Sequence, residues 1–220
     1  MISKKGYVYC AGPLFTEKEK EEMSELASAL EEAGFKTFLP HRDGLELTTC
    51  SENLIEKGLD PEHVKDLVSR AIFALDVYKV VIDCDAIIVN LNGRVPDEGA
   101  ISEAALAWCA NKIVIGYKTD TRSVLMGKDN PLVAGLFDFK LCDSISKTVN
   151  ATQNAFKEKP SEKERVEKRG NQLRHYLDLG SRIWDALREP NGIDRVADIL
   201  CERLLKQDTL IRTSMKNQVM

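Results

Sequence analysis

Three acidic residues, Asp97, Glu98 and Glu103, follow the apolar run Ala86-Ile87-Ile88-Val89-Asn90-Leu91 after a short loop. The run reads as a buried strand. The segment Asp97-Glu98-Gly99-Ala100-Ile101-Ser102-Glu103 reads as a loop that passes into a helix. In an open α/β sheet, loops at the carboxyl ends of the strands carry the chemistry. A helix N-terminus also favours an ionised carboxylate, so Glu103 is expected to be an anionic nucleophile at neutral pH. A competing reading is a capping and solubility cluster, since acidic residues are common in first helical turns.

The elements that must position this segment are legible in the pattern. Tyr7 to Ala11 reads as a first strand ended by Gly12-Pro13. Thr16 and Glu19 have capping-box spacing, Met23, Leu26, Ala27, Leu30 and Ala33 form one helical face, and Gly34 closes that helix. Phe35 to Leu39 reads as a second strand stopped by Pro40, and residues 41–59 as a long loop with room for a short helix. Pro61 opens a helical pattern through about Ile82. Strands follow over Asp85 to Leu91 and Ile113 to Tyr117, with a helix from Gly99 to Asn111 between them. Residues 119–136 read as a loop, Phe137 to Leu141 as a fifth, edge strand, and Ser144 to Lys157 as a helix. This alternation implies an α/β fold: a parallel sheet of about five strands with helices on both faces.

The sheet domain is expected to span residues 1–157, and a helical extension residues 158–220. The charged stretch Lys157 to Glu164 links them. An amphipathic helix with Val166, Leu173, Leu177, Ile183, Trp184 and Leu187 follows. Pro190-Asn191-Gly192 breaks it, and a last helix carries Ile193, Val196, Ala197, Leu200 and Leu204. The hairpin could pack on the sheet domain or on a second subunit. His175 stands alone there and reads as structural.

Composition narrows the partners. With 220 residues the chain can bury a core without metal or disulfide staples. A net charge of -4 gives no reason to expect a nucleic-acid polymer or an anionic membrane. The six cysteines are scattered and form no C-x-x-C pair; Cys10, Cys84 and Cys109 read as buried small hydrophobes. No signal peptide and no membrane-spanning run are legible, so a cytoplasmic setting with reduced thiols is expected.

Several segments, in order, resemble the nucleoside 2-deoxyribosyltransferase family: Tyr9-Cys10-Ala11-Gly12-Pro13-Leu14-Phe15, Asp83-Cys84-Asp85-Ala86, Asn92 to Gly99, Glu103, and Gly116-Tyr117-Lys118-Thr119-Asp120-Thr121-Arg122. The resemblance covers about residues 6–142 and implies a Rossmann/flavodoxin-like sheet. Enzymes of this family cleave the N-glycosidic bond of a 2'-deoxynucleoside and pass the sugar to another nucleobase through a deoxyribosyl ester on a glutamate. The resemblance makes Glu103 that nucleophile. It makes Asp97 the residue that contacts the base and helps protonate the leaving nitrogen, and Tyr9 the tyrosine that orients the nucleophile. Read without it, Tyr9 is a strand tyrosine with its hydroxyl in solvent. Asp76 is the candidate for a second base-facing aspartate. Gly12, Phe15, Asp43 and Gly99 are expected at the substrate, with Phe15 and Trp108 as candidate walls for the base, although Trp108 reads first as core. Asn130 resembles an asparagine that reaches a neighbouring subunit's site, which implies a homo-oligomer. The scheme needs no metal and no cofactor. Its chemistry is physically coherent: an oxocarbenium-like state asks for one carboxylate at the anomeric carbon and an acid near the leaving group.

Two departures matter. Ala105 stands where many members have a glycine two residues after the glutamate. The loop Pro40-His41-Arg42-Asp43-Gly44 follows the second strand, so His41 and Arg42, with Arg94 and Lys128, could hold a 5'-phosphate or a base carbonyl. Their alternative is plain solvated loop charge. A 2'-deoxynucleoside 5'-monophosphate N-glycosidase, with water as acceptor, is therefore the second reading. An inactive nucleotide-binding sensor is the third.

Overall fold

The computed structural model describes residues 5–122, 129–158 and 161–202. Five segments form the sheet: β1 (Lys5–Ala11), β2 (Phe35–Phe38), β3 (Ala86–Asn90), β4 (Ile113–Tyr117) and β5 (Leu141–Cys142). All neighbours pair parallel, in the order β2-β1-β3-β4-β5. Every residue of β3 is buried, as a central strand covered on both faces must be. The order reverses between β1 and β3. That junction is where an open sheet of this kind leaves a crevice for ligands.

Strand alternation sends successive side chains to opposite layers. Val8 and Cys10 pack with Met23, Leu26, Ala27 and Leu30 of α1 (Glu17–Glu32) and with Val149 and Phe156 of α7 (Ile145–Lys157). Tyr9 and Ala11 face the other way. They meet Val80, beyond the end of α4 (Pro61–Tyr78), and Ala100, Ala104 and Ala107 of α5 (Glu98–Cys109). The small alanine face of α5 lets that helix lie close on β3, which fixes the height of Glu103 above the sheet.

Local chemistry explains the helix starts. The Thr16–Glu19 capping box is formed at the head of α1, and Gly34 takes φ 92° just past its end. Pro40 does more than stop β2: it opens a short helix, α2 (Pro40–Asp43), as proline at a first helical position can. The segment read as a long loop also contains α3 (Leu47–Glu56), capped by Glu46, whose carboxylate accepts from the Thr48 and Thr49 amides. At its far end α4 widens into a π-helical turn over Lys79–Asp83.

Two expectations are corrected. Phe137 to Leu141 is not a strand. A helix, α6 (Pro131–Leu136), precedes it, Asp138 and Phe139 take left-handed φ of 53° and 57°, and β5 holds only Leu141 and Cys142. The apolar run reads as a strand because it is rich in aromatic residues, but only Phe137 enters the core there, while Phe139 is exposed. Cys109 is exposed, unlike buried Cys10 and Cys84, because it lies at the outer end of α5.

The chain divides into two compact units, Met1–Glu162 and Lys163–Met220. Within the second, α8 (Glu162–Leu187) is followed by a helix over residues 192–202, α9. Gly192 sits so close to the end of α8 that a Cβ there would lie 2.7 Å from the Ala186 carbonyl oxygen. Arg182 pairs with Glu202 at 3.2 Å, so the two helices run back on each other. Leu204 lies outside the described residues. No described helix is long and apolar enough to cross a membrane.

The thin β5 edge depends on close approach at Gly116 in β4. A Cβ there would stand 2.4 Å from Leu141 Cδ2 and 3.0 Å from the Phe137 ring. Gly116→Ala is expected to cost ~1–3 kcal/mol by overpacking. Urea unfolding measures it, and an unchanged midpoint would mean that β4, β5 and Phe137 are not packed as described.

Candidate active site

The site begins with Tyr9, whose ring is fully buried in β1 and stacks against Phe38 of β2 with centroids 5.2 Å apart. Its hydroxyl emerges between two helices. It donates to Glu103 Oε1 at 2.6 Å and lies 3.2 Å from Asp76 Oδ1. The hydroxyl has one hydrogen. The shorter contact claims it for Glu103, and Asp76 can complete the chain by donating to the Tyr9 oxygen when its own carboxyl is protonated. Tyr9 therefore joins a residue of α4 to a residue of α5 across the end of β1. The solvent-exposed hydroxyl of the simpler reading is not what forms.

Asp97 caps α5. Its Oδ1 accepts from the Ala100 amide at 2.7 Å, and its charge is felt at Glu103. Gly99 keeps that cap uncrowded, since a Cβ would lie 3.1 Å from Asp97 Oδ1. Gly12, after β1, is needed for close packing: a Cβ would meet Met23 Sδ at 2.6 Å and Asn90 Cβ at 2.8 Å.

Burial raises the Glu103 carboxyl to about 7, against the help of the Tyr9 hydrogen bond and reinforced by the charges of Asp76 and Asp97. Burial raises Asp76 as well, opposed by Tyr9. The Tyr9 phenol is pushed far above its usual range by burial and by both carboxylates, so it stays a hydrogen-bond donor. This corrects the expectation that the helix N-terminus holds Glu103 ionised. The residue lies on the second turn of α5, where the dipole has faded, and desolvation outweighs it.

A sequence model for the family described as nucleoside 2-deoxyribosyltransferase matches residues 8–171. The chain belongs to that family. Among solved structures, a conserved protein from Enterococcus faecalis V583 shares the fold, with a TM-score of 0.53 and 17% identity over 68% of this chain and 98% of that one. A 2-desoxiribosyltransferase from Leishmania mexicana is also similar, at a TM-score of 0.42 and 17% identity over 66% of this chain and 95% of that one. So is a CMP N-glycosidase from Clostridium botulinum, at a TM-score of 0.38 and 16% identity over 67% and 98%. No curated protein matches the chain in sequence.

The remaining candidates divide by position on this transferase-family sheet. Arg42 turns toward the α1 layer. There it binds Glu31 at 2.8 Å, Thr37 at 2.9 Å and Asp43 at 2.9 Å. Asp43 in turn accepts from the Leu39 amide at 2.9 Å. His41 lines a surface groove with Glu17 and Lys20 of α1. These three therefore stand on the opposite layer from Glu103, Arg42 and Asp43 held in their own network, and the structure does not bring them to it. Arg94 is exposed, and Lys128 lies outside the described residues. Phe15 is 79% exposed at the head of α1, beyond the end of β1. Trp108 is half-buried on α5. Asn130 caps α6, its side-chain oxygen accepting from Leu132 at 2.9 Å, and is exposed. Among the described residues no three His, Cys, Asp or Glu side chains are arranged to hold a metal.

Sequence reasoning missed how the loops at this edge are tied. Asn92 Oδ1 accepts from the Thr119 amide at 2.7 Å and the Asp120 amide at 2.9 Å, which clips the loop after β3 to the loop after β4. Asp120 accepts from Gly93 at 3.2 Å and pairs with Arg122. A nearly buried Lys118–Asp129 ion pair holds both sides of residues 119–128 together. The signal was limited to polar residues in loops, which do not reveal their partners.

The raised carboxyl has a consequence for stability. Folding lifts Glu103 from 4.5 to about 7, so the folded state holds the extra proton and loses stability as pH rises through that window. Glu103→Gln keeps an acceptor for Tyr9 and cannot ionise. It is expected to be more stable than the parent by ~1–3 kcal/mol at about pH 8, and no more stable at about pH 4. Denaturant unfolding at the two pH values checks this; equal differences at both would refute the buried-carboxylate account.

Proposed function

We propose that this protein is a nucleoside 2-deoxyribosyltransferase whose covalent nucleophile is Glu103. The observation that carries the reading is the Tyr9 hydroxyl 2.6 Å from the Glu103 carboxylate, with Asp97 capping the same helix. Glu103 attacks the anomeric carbon of a 2'-deoxynucleoside. The carbon–nitrogen bond breaks, and its electron pair leaves with the base. Asp97, at the head of α5, is the group proposed to help protonate that base nitrogen. A second nucleobase then attacks the anomeric carbon, frees the Glu103 carboxylate and loses a proton.

A buried carboxylate suits this two-step path. Desolvation makes Glu103 a better nucleophile, while the Tyr9 donor limits the penalty on the ionised form and so eases its departure in the second step. Water as final acceptor would give hydrolysis on the same residues. An uncharged nucleoside is favoured over a 5'-monophosphate by the charges in place. Glu103, Asp97 and Asp76 are all acidic, and among the described residues no ion pair joins them to a cation. The candidate phosphate ligand Arg42 is occupied by Glu31 and Asp43.

Deoxyinosine supplied with free adenine separates the outcomes. Deoxyadenosine is expected. Free deoxyribose alone would assign the chain to hydrolysis, and no turnover would overturn the enzymatic reading. A deoxynucleoside 5'-monophosphate should turn over more slowly than its nucleoside. Glu103→Ala should lose at least about a thousandfold in kcat; a loss within about tenfold would exclude the nucleophile role.

Ionised Glu103 is the reactive form, so kcat/KM is expected to rise with pH and level off above about 7. Tyr9→Phe removes a hydrogen bond that favours the carboxylate and should move that midpoint upward. A midpoint near the ordinary carboxylate range in both proteins would contradict the assignment.

A further inference from the structure

We propose that α8 pairs antiparallel with α8 of a second copy of this chain, making the C-terminal unit a dimerisation element. The reading is independent of the enzymatic one and rests on three features of the helix.

The first is spacing. Val166, Gly170, Leu173, Leu177, Gly180, Trp184 and Leu187 recur at strict intervals of four and three, the seam of a coiled coil. The seam runs ~31 Å along the helix at 1.5 Å per residue. It is distinct from the side of α8 that carries the one buried residue, Ala186. Its large members are in water, Leu177 at 63% and Trp184 at 61% exposure. A helix with an apolar stripe this long and open is unpartnered within its own unit.

The second is the pair of glycines. Glycine in a helix interior weakens the helix unless something needs the space. Nothing among the described residues of its own unit does: a Cβ on Gly180 would meet no atom within 4 Å, and one on Gly170 would meet only Arg174 Nη1 at 3.9 Å. In an antiparallel pair with its two-fold axis between Leu177 and Gly180, Gly180 of one copy faces Leu177 of the other, and Gly170 faces Leu187. Each glycine receives a large side chain. A parallel pair in register would set glycine on glycine and Trp184 on Trp184.

The third is charge. Antiparallel pairing brings Glu167 of one copy beside Arg188 of the other, twice per dimer. Parallel pairing would instead set Glu162 beside Glu167 and Arg169 beside Arg174, like against like. Shape and charge select the same orientation, and both are properties of a second copy of this sequence.

Sedimentation velocity on the full chain at low micromolar concentration tests the proposal. A dimer is expected. Leu177→Glu sets two carboxylates beside the axis, and Gly180→Leu fills the recess; each should weaken the dimer at least about tenfold. Gly180→Leu should do so with unchanged or higher helicity by circular dichroism, which separates a lost interface from a lost fold. Glu167→Arg and Arg188→Glu should each weaken the dimer, and the double exchange should restore it. A monomeric parent would overturn the proposal. An oligomer indifferent to Leu177→Glu and Gly180→Leu would overturn it equally, and so would a double exchange that restores nothing.

Discussion

A carboxylate has to be kept out of water yet remain able to ionise near neutral pH, and the sheet unit is arranged around that requirement. Full burial of an unpaired charge is prohibitive, and full exposure would return the group to the ordinary carboxylate range. The compromise is one phenol. Tyr9 is anchored by Phe38 in the core and offers its single hydrogen to Glu103 at 2.6 Å. The same oxygen meets Asp76 at 3.2 Å, so three residues far apart in sequence share a short chain of protons. Moving any of β1, α4 or α5 by a fraction of a turn would separate them.

That demand accounts for details which otherwise look incidental. The alanine face of α5 brings Glu103 down to the height of the Tyr9 hydroxyl. The Asp97 cap fixes where the helix starts and hence which turn carries Glu103. Asn92, Asp120 and the Lys118–Asp129 pair then knit the loops after β3 and β4, so the edge near Asp97 is tied at several points. Arg42 is spent on structure, locking α2 to α1 through Glu31.

The C-terminal unit follows a different logic. In α8 the exposed apolar residues Leu177 and Trp184 fall on one stripe, and two glycines interrupt that stripe where the helix's own unit needs none. Such a helix is designed around an absent surface. An antiparallel copy supplies it with matching recesses and opposite charges.

Much was readable from the residues in order. Period-two and period-3.6 patterning reports which face of each element is buried, and capping chemistry is local, so β4 and the head of α1 fall where the pattern puts them. The acidic segment around Glu103 was also visible, because strand, turn and helix start adjoin in the chain. What only the folded chain decided depends on distance across it. Phe137 to Phe139 had strand-like composition but became a turn, with Phe137 buried and Asp138 and Phe139 left-handed and exposed. Arg42 and Asp76 show the same limit. Both are charged residues near strand ends, and sequence alone could not tell that one would be claimed by Glu31 on the far layer and the other would meet Tyr9. The ionisation of Glu103 was misread for the same reason. A helix terminus is written in the local sequence, but desolvation is set by every element that packs around the group, and it is the larger effect.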